Sequence, residues 1–497
     1  MQLTTAERPV ANRSRRHKTR IYLLLAMIAV TDFLIFKQAP GLNLFILSIL
    51  LTAAVLIAGR KPPRLPYVAT CFGISALAAA PLLEAPTLAG FVVSMMVVVL
   101  NTLAHARLLP KNPSAVPFAL LRFMPAIFLR LPQSCRRYLA SRSGRSIFGV
   151  TQRSLAGWIF PLGMGVVFLF LFSTANPLIE MGLHNIDLSA LRNLLDIGRI
   201  AFWLIAAAGI WALMRPCLIR KSKLCISRNA GSESDIDSFL DHSMLVRCLS
   251  IFNLLFALQT ILDLIYLWGG VTLPAGMSHA EYAHRGAYPL VATALLAAAF
   301  VLMSMRRDGP GDRSRRIRIL VVAWILQNVL LCLSSILRLD LYIEAYSLTG
   351  LRLAAGIWMG LVAAGLVLIL LRIMLRRSNQ WLIAMNLATL STVLYLVAFI
   401  DFSGFIARFN VENSMRPGHQ GEPLDLHYLT SLGASAIPAL DLYMANVPAN
   451  SSEHQMAEYG RLKLVSEFAA RSRDWRSWTY RKQRMETYLQ STALIKQ

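Results

Sequence analysis

Residues 244–268 read Met244-Leu-Val-Arg-Cys-Leu-Ser-Ile-Phe-Asn-Leu-Leu-Phe-Ala-Leu-Gln-Thr-Ile-Leu-Asp-Leu-Ile-Tyr-Leu-Trp268. A helix that crosses a bilayer core needs about 20 apolar residues at ~1.5 Å rise, and this run meets that length. A second apolar run, residues 287–305, follows it. Between them lies one polar connection, Gly269-Gly-Val-Thr-Leu-Pro-Ala-Gly-Met-Ser-His-Ala-Glu-Tyr-Ala-His-Arg-Gly286. It holds His279, Glu281, Tyr282, His284 and Arg285 within seven residues, densely polar for a link between membrane helices. The centre of the chain therefore predicts a helical membrane protein, with any functional centre at this link.

Composition agrees. The hydrophobic fraction is 56%, charged residues are 15% and the mean hydropathy is +0.53, whereas a soluble domain carries about 25% charged residues. The net charge of +24 would suit a nucleic-acid partner if it formed one face. It does not, because Lys and Arg lie between apolar runs, so no nucleic acid is expected. The six cysteines, Cys71, Cys135, Cys217, Cys225, Cys248 and Cys332, show neither C-x-x-C spacing nor a His partner at zinc spacing. They read as small apolar packing residues, with no metal and no disulfide framework.

Working outward, eleven candidate spans follow, at about 21–37, 42–59, 66–83, 87–106, 156–174, 199–217, 244–268, 287–305, 319–337, 353–374 and 381–401. Basic residues set their orientation. With the N-terminus inside, the inside segments hold 32 Lys and Arg and the short outside loops hold six. The expected fold is thus an all-α polytopic bundle of about 11 transmembrane helices, N-in and C-out. Residues 1–20 form a basic cytoplasmic N-terminus, which with the following apolar run resembles an uncleaved start-transfer helix. The first four transmembrane helices occupy 21–106. Residues 107–154 follow, with nine basic residues and no Asp or Glu. Prolines 117, 125 and 132 punctuate them, which suits short amphipathic helices on an anionic cytoplasmic leaflet or a topogenic segment packed under the bundle. Seven transmembrane helices fill 155–401. Residues 220–242 between two of them read as a mobile loop.

Residues 402–497 change character, with eleven basic and nine acidic residues and no run long enough to span. Asp425 is expected to cap a helix that Gly433 stops. Ser452 is expected to open a helix to about Ala470, and Asp474 one from Trp475 to about Gln490. By the charge count this small helical domain is periplasmic.

The acidic residues Asp32, Glu84, Glu180, Asp263, Asp340, Glu344 and Asp401 all fall at the outer ends of spans. A deep proton relay is not encouraged. Asp263 lies about one and a half turns inside its helix end, where a lone carboxylate is costly. Pairing with Arg285 or His284, folded back from the link, is expected to hold it, as a structural or a functional ion pair. Mid-span amides (Asn101, Asn253, Gln259, Gln327, Asn328, Asn386) are expected to join helices, and the small residues of 354–365 to let helices approach closely. There is no P-loop, no dinucleotide-binding glycine pattern, no H-E-x-x-H and no G-x-S-x-G. His279-x-Glu281 lacks the P-C-x-x-C partner of a deaminase.

Several stretches resemble an uncharacterised family of bacterial multi-span membrane proteins, domain of unknown function 4173, and its relative 4153. They are Asn176-Pro177, Asp263-Leu-Ile-Tyr-Leu-Trp-Gly-Gly270, Ala280-Glu-Tyr-Ala-His-Arg-Gly-Ala-Tyr-Pro-Leu290 and Ile406-Ala-Arg-Phe-Asn-Val411. Further on come Leu424-Asp-Leu-His-Tyr-Leu429, Ala436-Ile-Pro-Ala-Leu440 and Asp474-Trp-Arg-Ser-Trp478. Phe409 and Ala287-Tyr288 depart mildly from the Tyr and Phe-Tyr usual there. The resemblance implies a bacterial inner-membrane protein and supplies no activity.

The functional expectation is a non-enzymatic envelope protein that transports, senses or scaffolds. An outer-face cluster of Asp263, Tyr282, Arg285 and Asp32 would shape its mouth. Its partners would be the bilayer, anionic lipids at the cytoplasmic face, and an envelope protein reached through residues 403–497. The alternative is a membrane-embedded enzyme acting on a lipid-linked substrate at the periplasmic face, with Glu281 and His284 as acid and base. Neither reading calls for a cofactor.

Overall fold

The computed structural model describes residues 7–59, 63–110, 112–142, 197–218, 242–265, 314–417, 422–470 and 474–495. The fold over these residues is all-α. Its first part comprises α1 (Glu7–Ile35), α2 (Leu42–Ala58), α3 (Leu65–Ala79), the single turn α4 (Pro81–Glu84), α5 (Leu88–His105) and α6 (Val116–Arg142). It continues with α7 (Ile197–Met214), α8 (His242–Asp263), α9 (Arg315–Tyr346), α10 (Gly350–Met374) and α11 (Asn379–Val397). The C-terminal part comprises α12 (Phe402–Ser414), α13 (Leu426–Ser431), α14 (Ile437–Asn446), α15 (Ser452–Ala469) and α16 (Tyr480–Ile495).

The helix starts follow local chemistry. Thr87, Ser314, Thr349, Ser378 and Asp401 each turn a side-chain oxygen onto a first-turn N–H, of Gly90, Ile317, Arg352, Trp381 and Gly404 respectively. That satisfies one of the donors a helix start leaves open. Six segments are long and apolar enough to cross a membrane: Leu88–His105, Pro113–Ser134, Ser243–Asp263, Arg315–Tyr346, Gly350–Met374 and Asn379–Val397. Leu42–Ala58, Leu65–Ala79 and Gly198–Met214 are apolar but shorter. The chain is a multi-pass helical membrane protein. Of the eleven expected spans, 156–174 and 287–305 lie outside the described residues, as does the loop expected over 220–242 except for His242, which opens α8.

Residues 116–142 differ from expectation, forming one helix with Pro125 and Pro132 inside it in place of several short ones. Each internal proline removes one backbone hydrogen bond without ending the helix.

The spans pack around two cores. In one, Leu245 and Leu249 of α8 meet Ile317, Val321, Trp324 and Ile325 of α9, with Leu366 and Ile369 of α10 and Leu382 of α11. In the other, Met27 and Leu34 of α1 pack with Leu47, Leu51 and Ala54 of α2, Val98 of α5 and Ile210 and Met214 of α7. Amides join some helices as expected. Asn101 donates to Cys71 O at 3.3 Å and Ser75 Oγ at 3.0 Å, and Asn253 to Leu320 O at 3.0 Å. Gln327 donates to Asn253 O at 3.2 Å, whereas among the described residues Asn328 and Asn386 donate within their own helices, to Trp324 O and Leu382 O. Within 354–365, a methyl group on Gly356 would only touch Leu339 Cδ2 at 3.4 Å, and Gly360 has open space. The small residues there do not all serve close packing.

The C-terminal helices share their own core, built from Ala407, Val411, Leu426, Leu429, Ile437, Leu440, Ala457 and Leu464. Asp425 caps α13 as expected, and Gly433 after it takes φ 80°, which suits glycine. Two starts differ. Ser451, not Ser452, caps α15 through His454 N at 3.1 Å. Asp474 caps only the 3-10 turn Trp475–Ser477, and α16 begins at Tyr480, where Thr479 Oγ1 accepts from Lys482 N at 3.3 Å.

Candidate functional site

Asp263 closes α8, and its carboxylate meets the guanidinium of Arg338 on α9. The side chains are only 1% and 3% exposed, so the pair is held almost entirely away from solvent. Arg338 Nη2 and Gln259 Nε2, the latter at 2.9 Å, both donate to Asp263 Oδ1. Among the described residues, Asp263 Oδ2 accepts from no donor. Leaving one oxygen unmet makes the pair an expensive way to hold two helices and a specific one. The cation that the structure brings to Asp263 is therefore Arg338. His284 and Arg285, the expected partners, lie outside the described residues together with Glu281 and Tyr282.

Asp32, on the last turn of α1, belongs to a different helix pair. Arg199 of α7 donates to both of its oxygens, Nε to Oδ1 at 3.0 Å, and Trp203 Nε1 adds a bond of 2.9 Å to Oδ1. The same guanidinium lies 5.4 Å from the Phe36 ring centroid and 5.5 Å from that of Trp203. Such cation–aromatic groups are favoured where a span leaves the hydrocarbon.

The C-terminal helices sit on this same end of the bundle and grip it at four loops. At the first, Leu42 N donates to Trp478 O at 2.9 Å and Arg476 Nη1 to Phe33 O at 2.6 Å. Gly41 is required there for space: a methyl group would lie 2.6 Å from Ser477 C. At the second, Glu84 of α4 takes Arg484 directly and Arg481 Nε at 3.6 Å. At the third, the buried amide of Asn410 accepts from Leu348 N at 2.7 Å and donates to Leu348 O at 2.9 Å. Tyr428 Oη also accepts from Gly350 N at 3.0 Å, and Glu422 N donates to Ala345 O at 2.9 Å. At the fourth, Asp401 takes Arg481 Nη1 at 3.2 Å.

Electrostatics stiffen the gripping segment. The Arg476 guanidinium beside Asp474 holds that carboxyl below the usual carboxylate range. Within the domain, burial pushes the Tyr443 phenol up to about 12, helped by its bond to Glu453 Oε2 at 3.0 Å. No three His, Cys, Asp or Glu side chains come together as a metal site among the described residues.

Residues 45–443 match the family model described as Domain of unknown function (DUF4153). The chain belongs to the DUF4153 family. This is the relative among the two families its motifs resemble. No curated protein and no solved structure matches. The DUF4153 match takes in Asp263, Arg338, Glu84 and Asp401 but stops before the gripping segment 474–484.

Of the expected outer-face cluster, the structure places Asp32 and Asp263 in separate helix pairs with separate cations. The residues sequence reasoning missed are Arg338 and the arginines 476, 481 and 484. Arg338 carried a signal, since a cation at the edge of an apolar run needs a counter-charge. The three arginines carried none beyond the Asp474-to-Trp478 motif.

Proposed function

We propose that this DUF4153 protein is a bacterial inner-membrane protein with a non-enzymatic envelope role, sensing or scaffolding, and with its C-terminal domain on the periplasmic side. The observation that carries the reading is the grip on four loops. A domain fastened at residues 33–42, 84, 345–350 and 401 transmits a load or a bound partner directly to the spans beneath it. A tethered enzyme domain would need no such set of contacts. The sidedness rests on charge. The gripped end collects Asp32, Glu84, Asp263 and Asp401, while the opposite end of the bundle carries Arg20, Arg64, Arg107, Arg315, Arg316, Arg318, Arg376 and Arg377.

Two experiments test this. A reporter that fluoresces only in the cytosol, fused behind Gln497, is expected to stay dark; a bright fusion overturns the orientation. In a deletion strain, the chain without residues 403–497 is expected to fail to restore the envelope phenotype, while Glu281→Gln and His284→Asn restore it. The reverse pattern, with folding intact, returns the acid/base reading on a lipid-linked substrate.

A further inference from the structure

The helix α6 lies against the end of the bundle opposite the C-terminal domain. Its buried residues Ala119, Phe123 and Ala126 pack with Leu103 near the end of α5 and Ala212 near the end of α7. Trp211 Nε1 donates to Ser134 Oγ at 2.9 Å, and the turn Pro113–Ala115 just before α6 touches α11. Among the described side chains, its apolar neighbours are Val99 and Leu103 near the end of α5 and Ala212 and Leu213 near the end of α7, with Leu108 and Leu218 just beyond. A helix of 27 residues is about 40 Å long, so a span running beside α5 would meet it along its length, whereas α6 meets α5 at its end.

The opposite face of α6 is apolar and uncovered. Phe118, Leu121, Met124 and Phe128 are 58%, 66%, 61% and 72% exposed, and recur at a spacing that keeps them on one side. Soluble surfaces do not keep such a stripe open. In sequence, residues 107–154 hold nine basic residues and no acidic one, and the described side chains among them include Arg107, Arg122 and Arg130. An apolar stripe set in a wholly cationic segment fits one occupant, the acyl chains and headgroups of an anionic leaflet.

We infer that α6 is an in-plane helix, embedded sideways in the leaflet at the far end of the bundle, and that its Phe118–Leu121–Met124–Phe128 face binds anionic lipid. Spin labels at Phe118→Cys and Phe128→Cys test it in the full chain, reconstituted in nanodiscs, with the native cysteines replaced and the melting temperature of that background checked. Both positions are exposed, so the labels leave the packing of α6 intact. In-plane geometry gives both labels the same depth by oxygen and nickel collision. Raising phosphatidylglycerol from none to ~30% in phosphatidylcholine is expected to slow both labels. A depth difference of about 15 Å between them, the rise of ten helical residues, means that α6 crosses the membrane and overturns the inference. Dipolar broadening between copies, or mobility indifferent to phosphatidylglycerol, overturns it as well.

Discussion

Arg338 reaches Asp263 across the α8–α9 interface and shares Oδ1 with Gln259, leaving Oδ2 of the same carboxylate without a donor among the described residues. Burial makes this contact decisive for how the two helices register. A cation eight residues before the end of α9, about 12 Å along it, has few places to go except a carboxylate on the neighbouring helix.

Breaking that pair from one side is expected to be costly. Asp263→Asn and Arg338→Gln should each lower stability by about 3 kcal/mol, because each strands a buried partner. In the double variant the losses should fall short of their sum by about 1–3 kcal/mol. Thermal unfolding of the purified protein in detergent reads all three; strictly additive losses would mean that the two residues act independently.

Gly41→Ala places a methyl group 2.6 Å from Ser477 C and 2.8 Å from Trp478 O. Backbone on both sides leaves no flexible tip to yield, so the segment 474–484 must lift. The expected result is faster proteolysis and hydrogen exchange confined to residues 474–495, with the spans unchanged.

Glu84 serves two arginines, so Glu84→Gln is expected to weaken docking more than Arg484→Ala does. Arg484 is 55% exposed, and its loss alone should cost no more than about 0.5 kcal/mol. Glu84→Arg should release the domain in the same proteolysis assay. Combining it with Arg484→Glu should restore part of the protection, and a swap with no rescue would assign the grip to backbone contacts alone.

The C-terminal domain should also weaken in alkali. Tyr443 holds its proton up to about 12 when folded and to 10.0 when free. A raised folded value means the stabilisation is complete below pH 10 and is lost as the pH climbs through 12. Tyr443→Phe should flatten that part of the unfolding curve. Tyr488, raised by burial and by its bond to Asp441, should retain the rest.

Spans such as α9, α10 and α11 are legible from apolar length, and the capping Ser or Thr that opens each, found in the structure, lies a few residues before the apolar run. Asp263 is legible as a residue in need of a cation. Its partner is not, because Arg338 falls one residue past the expected span 319–337 and reads as a loop charge. The helix in fact continues to Tyr346, with neither Gly nor Pro from 338 onward to stop it. Prolines misled the reading of α6, since a proline interrupts one hydrogen bond and packing on α5 and α7 keeps the helix whole. The docking of residues 474–484 on Phe33, Gly41 and Glu84 left no trace in local pattern. Those contacts join segments hundreds of residues apart, and neither periodicity nor propensity reports on such pairs.

The bond from Arg476 to Phe33 O spans 443 positions, and that separation governs biogenesis. The first hairpin enters the lipid early in translation, yet the segment that fastens its loop is made 443 positions later. Until then the hairpin has no lid. A nascent chain stopped short of residue 484 would carry every helix of the bundle and still present an open, protease-sensitive rim, so membrane quality control can tell an unfinished copy from a finished one at a single place.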